Sequence, residues 1–119
     1  MKKFQGVLPA LITPLNEDES LNASALEVLI DSLIDEGAYG FYIGGATGEG
    51  VLLRRAVREE LAERALGHIK GRVDTIVHIA SHDFSEAVAL AKQAEALGAD
   101  GISAVPPFYF TYSEDEVYE

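Results

Sequence analysis

Two segments of this chain, "EGAYGFYI" at residues 36–43 and "ALGADGISA" at 96–104, share a single step: Gly-Ala-x-Gly, set between a helical pattern and a short apolar run. A glycine just past the last helical residue stops a helix, and the apolar run that follows is of strand length. The chain therefore passes from helix to strand twice in the same way. Repeated alternation of this kind builds a parallel sheet by right-handed crossovers, with helices outside and loops at the C-terminal ends of the strands.

The rest of the chain fits this frame. Apolar runs at 7–12, 39–43, 75–80 and 101–105 are short and bounded by turn residues, as buried strands are. Pro9 inside the first run is an objection, because proline removes a ladder donor. Between the runs lie helical patterns. Over 25–36, Leu26, Leu29, Ile30, Leu33 and Ile34 keep one face, with Asn22 or Ser24 as cap and Gly37 as stop. Over 55–70, Val57, Leu61, Ala65 and Ile69 do the same, Glu60 reaches Arg64, and Gly71 ends the helix. A third helix runs from Asp83, which has capping-box spacing to Glu86, to Gly98.

In "TYSEDEVYE", Ser113 and Glu116 again have capping-box spacing, so a fourth helix starts and is cut short after about one turn. The expected fold class is α/β. Residues 1–119 read as a single partial domain, the first four strand-helix units of an eightfold (β/α)8 barrel, whose usual length of about 250 residues is roughly twice this chain. The pattern also fits a small open doubly wound sheet.

Composition narrows function by exclusion. A net charge of -11, from 20 acidic and 9 basic residues, repels nucleic acid and anionic membranes. With no cysteine, neither disulfides nor thiolate metal sites are possible. No run nears the roughly 18 apolar residues of a membrane span, and the N-terminal segment lacks the cleavage site of a leader, so the expected compartment is the cytoplasm.

Chemistry in such folds sits in the loops after strands. The first, "TPLNEDESLN", reads as a solvated connection. The second, "GGATGEG" at 44–50, has four glycines, yet it lacks the Lys-Ser/Thr of a P-loop and the third glycine of a dinucleotide fingerprint. It suits either a concavity of backbone N–H groups beside Thr47, fit for a small carboxylate, or a tight turn whose threonine satisfies its own backbone. The third loop brings His78, His82 and Asp83, but without a recognised ligand spacing, so no metal is expected. His68, near the end of the second helix, suits a surface role there. The fourth, "PPFYFTY", offers aromatics for a ligand wall, a subunit contact or local core filling.

Taken together, "GVLPALITPL", "GFYIGGATGEG", the Arg58-Glu59-Glu60 stretch and "GISAVPPFYFTYSEDE" resemble the N-acetylneuraminate lyase and dihydrodipicolinate synthase family, across essentially the whole chain but only the first half of the family's barrel. The resemblance implies a (β/α)8 enzyme, usually a homotetramer, that handles pyruvate and other 2-oxo acids through a lysine Schiff base and needs no further cofactor. It implies that Gly45, Ala46 and Thr47 bind the substrate carboxylate and that Tyr109 is catalytic, reaching across a dimer interface. Family members usually carry a hydroxyl residue where Ala46 stands, so a proton relay through that position needs a water or another side chain. Gly50 and "HIAS" look more like the lyase branch, which cleaves sialic acid to pyruvate and an N-acetyl sugar, than the synthase branch.

A Schiff-base lysine must lie desolvated at the end of a barrel strand. None of the four lysines, Lys2, Lys3, Lys70 and Lys92, ends a predicted strand. The chain alone is therefore expected to be inactive, either as part of a lyase whose nucleophile lies elsewhere or as a half-barrel that acts as a binding or assembly module.

Overall fold

A computed structural model describes residues 2–106 and 113–118. Three parallel strands, β1 (Gly40–Ile43), β2 (Asp74–His78) and β3 (Gly101–Ser103), lie in chain order, with Phe41 opposite Thr75 and Val77 opposite Ile102. They alternate with helices α1 (Ala23–Asp35), α2 (Arg55–Ile69) and α3 (Phe84–Ala96), and α4 (Glu114–Tyr118) follows. Phe41, Ile43 and Val77 point to the helices and join one core with Leu26 and Ile30 of α1, Leu61 and Ile69 of α2, and Ala94 of α3. Burying each such large side chain contributes roughly 1.5–3 kcal/mol.

The repeated Gly-Ala-x-Gly step folds identically in both places. Gly37, at φ 102°, donates to the Ile34 carbonyl while Ala38 donates to Leu33; Gly98, at φ 82°, donates to Glu95 while Ala99 donates to Ala94. These are complete Schellman motifs, in which left-handed glycine lets two orphan carbonyls of the last turn be satisfied. The second glycine of the first copy starts β1 so close to its neighbour that a Cβ there would lie 2.6 Å from the Asp74 carbonyl oxygen.

The caps follow the sequence with two exceptions. Asn22 accepts from the Ala25 N–H at 3.1 Å. Ser113 and Glu116 form the reciprocal capping box, with the Glu116 carboxylate 2.7 Å from the Ser113 N–H. Asp83 caps α3 through the N–H groups of Ser85 and Glu86, but Glu86 turns instead to the Ser81 hydroxyl at 2.8 Å. The chain leaves α2 one residue before Gly71, with Lys70 itself left-handed at φ 48°.

The predicted first strand at 7–12 is reduced to a single parallel bridge, Ala10 to Tyr42, flanked by Tyr42 N–H to Pro9 carbonyl and Leu11 N–H to Tyr42 carbonyl, both 2.9 Å. The next bond of that ladder would run from residue 9 to the Gly40 carbonyl, and proline has no N–H to give. Tyr39 instead donates to Val7. The segment thus keeps its place beside β1 without forming a regular strand. β2 also stops short of the predicted Ala80, because the carbonyls of His78 and Ala80 are taken by the Arg58 guanidinium, and β3 ends at Ser103 rather than at 105.

Candidate functional site

The loop 44–50 leaves the C-terminal end of β1 and is held from beneath on three sides. Gly50 donates to the Gly45 carbonyl at 3.1 Å and Glu49, left-handed at φ 55°, donates to Ala46 at 3.0 Å. Thr13, buried after the first apolar run, donates its hydroxyl to the Gly48 carbonyl at 2.6 Å. The glycines are steric necessities: a Cβ on Gly50 would lie 1.8 Å from the Gly44 carbonyl oxygen, and one on Gly45 would lie 2.3 Å from the Tyr42 ring.

The loop's carbonyls at 45, 46 and 48 are therefore occupied, whereas the N–H groups of Ala46, Thr47 and Gly48 take no backbone acceptor among the described residues. Ala46 and Thr47 are exposed, Gly45 is buried, and the Thr47 hydroxyl likewise has no partner among the described residues. The segment is a tight glycine turn in which Thr47 makes no hydrogen bond to its own backbone among the described residues. Successive N–H groups without a backbone acceptor, set beside a hydroxyl, are donors of the kind a small anion uses. Tyr109 lies outside the described residues.

Below this loop, register sets Ala10, Tyr42, Ile76 and Gly101 in one row and His78 beside Ser103 one pleat further on, all on the sheet face turned away from the helices. The Tyr42 hydroxyl donates to Ser103 Oγ at 2.8 Å, and its ring centroid is 6.0 Å from that of His78. His78 is 6% exposed, with Nδ1 buried and unpartnered among the described residues. Burial, and then the charge of Arg58, push its pKa below the usual imidazole value, against a backbone hydrogen bond at Gly44.

Arg58, 5% exposed, donates to Ala80 and His78 carbonyls at 2.8 and 3.0 Å and so finishes the end of β2. Burial lowers its pKa and Glu86 opposes the shift. At the other end of the strands, Lys2 Nζ lies 2.7 Å from both Asp74 and Asp100. His68 pairs with Asp31 at 2.9 Å, and Arg72 joins the same carboxylate. No three His, Asp or Glu side chains gather as a metal site among the described residues, and none of their helices is long and apolar enough to cross a membrane.

The sequence singled out Gly45, Ala46 and Thr47, and the fold brings these together at a strand end. It did not single out Thr13, Tyr42 or Ser103, and it named Arg58 only as part of a motif of the family resemblance. The model of the dihydrodipicolinate synthetase family matches residues 3–119. The chain belongs to that family.

Among family relatives, the N-acetylneuraminate lyase of Citrobacter koseri is 38% identical over 115 residues, which is 97% of this chain and 39% of that protein. The N-acetylneuraminate lyase of Salmonella newport is 36% identical over the same span. The chain thus spans about two fifths of the length of these relatives. Among solved structures, CdNal from Clostridium difficile, in complex with mannosamine, aligns at TM-score 0.91 and 32% identity over 98% of this chain and 40% of its own. YagE, a prophage protein of the family from E. coli K12 in complex with pyruvate, aligns at 0.89 and 31%, over 96% and 38%. Within the family's fold the chain is the N-terminal half of a (β/α)8 barrel.

Proposed function

We propose that this chain is the carboxylate-binding half of a pyruvate-dependent class I lyase, of the N-acetylneuraminate lyase type. Residues 1–119 then supply the first four strand-helix units. The observation that carries the reading is the loop 45–48: its carbonyls at 45, 46 and 48 are occupied, while among the described residues the N–H groups at 46–48 have no backbone acceptor and the Thr47 hydroxyl has no partner. The carboxylate of a 2-oxo acid would take those N–H groups and the Thr47 O–H, with charge-assisted hydrogen bonds. Its keto carbon would then face an amine, and loss of water would form a Schiff base through which the carbon–carbon bond breaks. Two likenesses support this choice: the N-acetylneuraminate lyases among the relatives, and YagE, whose structure is a complex with pyruvate.

The amine comes from outside these 119 residues. Lys2 is bound to Asp74 and Asp100 at the N-terminal ends of the strands, Lys70 ends α2, and Lys3 and Lys92 are exposed. Tyr109, which follows β3 in the sequence, is the proposed catalytic group, entering a neighbouring subunit's site in a cytoplasmic homo-oligomer. Absence of a long apolar helix among the described residues and a strongly acidic surface are compatible with that setting.

The test is pyruvate with borohydride. No covalent adduct is expected on the isolated chain, and pyruvate added to the 15N-labelled chain should move the amide resonances of Ala46, Thr47 and Gly48. An adduct on any of its lysines would overturn the division of labour, and unmoved amides at 46–48 would overturn the cradle.

A further inference from the structure

The cradle is tied to the third strand through one side chain. Tyr42 leaves β1 on the face away from the helices, and its ring fills the space a Cβ on Gly45 would need, so the turn that opens the cradle is built against that ring. From there the side chain crosses β2, passing beside His78, and its hydroxyl ends on Ser103 of β3 at 2.8 Å. Among the described residues, no other side-chain hydrogen bond reaches from β1 to β3. A ring has one stiff degree of freedom about its axis and tilts as a plate, so anchoring its far end at Ser103 fixes the face it offers to Gly45.

We propose that Tyr42 is a positioning residue, which through its hydrogen bond to Ser103 sets the height of Gly45, Ala46 and Thr47 and couples the carboxylate cradle to β3. The proposal rests on the cradle reading above for its functional meaning, but the coupling is a property of the free chain as well. Ser103 is the right partner because its short hydroxyl is both donor and acceptor, and can accept the hydrogen bond of the phenol O–H while half-buried on the open face.

The experiment compares wild type, Tyr42→Phe, Ser103→Ala, the double variant and Ser103→Thr, by amide spectra without ligand and by pyruvate titration. In Tyr42→Phe and Ser103→Ala, the resonances of Gly45, Ala46 and Thr47 should shift, and pyruvate affinity should fall roughly three- to tenfold, the loss expected of one neutral hydrogen bond. The double variant should bind no more weakly than either single one, since both remove the same bond. Ser103→Thr should restore both readouts. Unshifted amides at 45–47 in both single variants, or losses that add in the double, overturn the proposal. If the amides shift but wild type ignores pyruvate, the cradle reading fails and the coupling stands; if pyruvate binds and the amides stay, the reverse holds.

Discussion

Thr13 and Gly48, 35 residues apart, are joined by a buried 2.6 Å hydrogen bond from the threonine hydroxyl to the glycine carbonyl. This bond ties the loop after the first apolar run to the glycine-rich loop at 44–50. Thr13→Val keeps the shape and removes the donor, leaving the carbonyl unsatisfied at a cost of about 1–3 kcal/mol. Urea denaturation should show that loss, while Thr13→Ser should stay close to wild type. Equal midpoints for Thr13→Val and wild type would remove this bond from the account of how the loop is held.

Gly50→Ala would place a methyl 1.8 Å from the Gly44 carbonyl oxygen, a backbone atom that cannot swing aside. The loop must move, so overpacking of about 1–3 kcal/mol is expected. Pyruvate-induced amide shifts at Thr47 should vanish as well. Gly67→Ala is the control: nothing lies within 4 Å of its Cβ position, and in the last turn of α2 alanine should stabilise the helix by at most about 1 kcal/mol.

Arg58 is the guanidinium that closes the end of β2. Arg58→Met preserves much of the apolar stem but strips two carbonyls of their donor, so a loss of about 2–4 kcal/mol in unfolding free energy is expected. Arg58→Lys should recover only part of it, because one ammonium cannot present two donors at a fixed fork. Full recovery by lysine would show that charge, rather than fork geometry, matters here.

The buried imidazole of His78 gives the chain a pH dependence of definite sign. Its native pKa lies below the ordinary 6.5, so the unfolded chain takes up a proton first as pH falls. Stability should therefore be fully present above about pH 6.5 and decline from there down to the lower native value, below which this contribution is constant. Thermal melts between pH 8 and 5 should show the decline, and His78→Gln should flatten it. An NMR titration that placed the imidazole pKa at or above 6.5 would contradict the burial argument.

Much of this fold is written locally. The Schellman steps at Gly37 and Gly98, the Asn22 cap and the Ser113–Glu116 box are contacts between residues a few positions apart, and spacing alone reveals them. Pro9 announced the broken first strand for the same reason. The site is less legible. The glycine density of 44–50 and Thr47 pointed to an anion, but Arg58 reads in sequence as one more charge on a helix, since its partners are carbonyls 20 and 22 residues away. Backbone acceptors leave no mark in the amino-acid code. Tyr42 was equally silent: an aromatic in an apolar run looks like core, and only strand register reveals which face it takes and that Ser103 is within reach.

The Lys2 clasp has a practical consequence. Because Lys2 is held between Asp74 and Asp100 at the N-terminal ends of β2 and β3, the chain enters the fold at the end of the sheet opposite the cradle. Molecules anchored to a sensor surface through an N-terminal tag will stand with residues 45–48 facing the flowing solution, whereas coupling through random surface carboxylates will leave many of them face down.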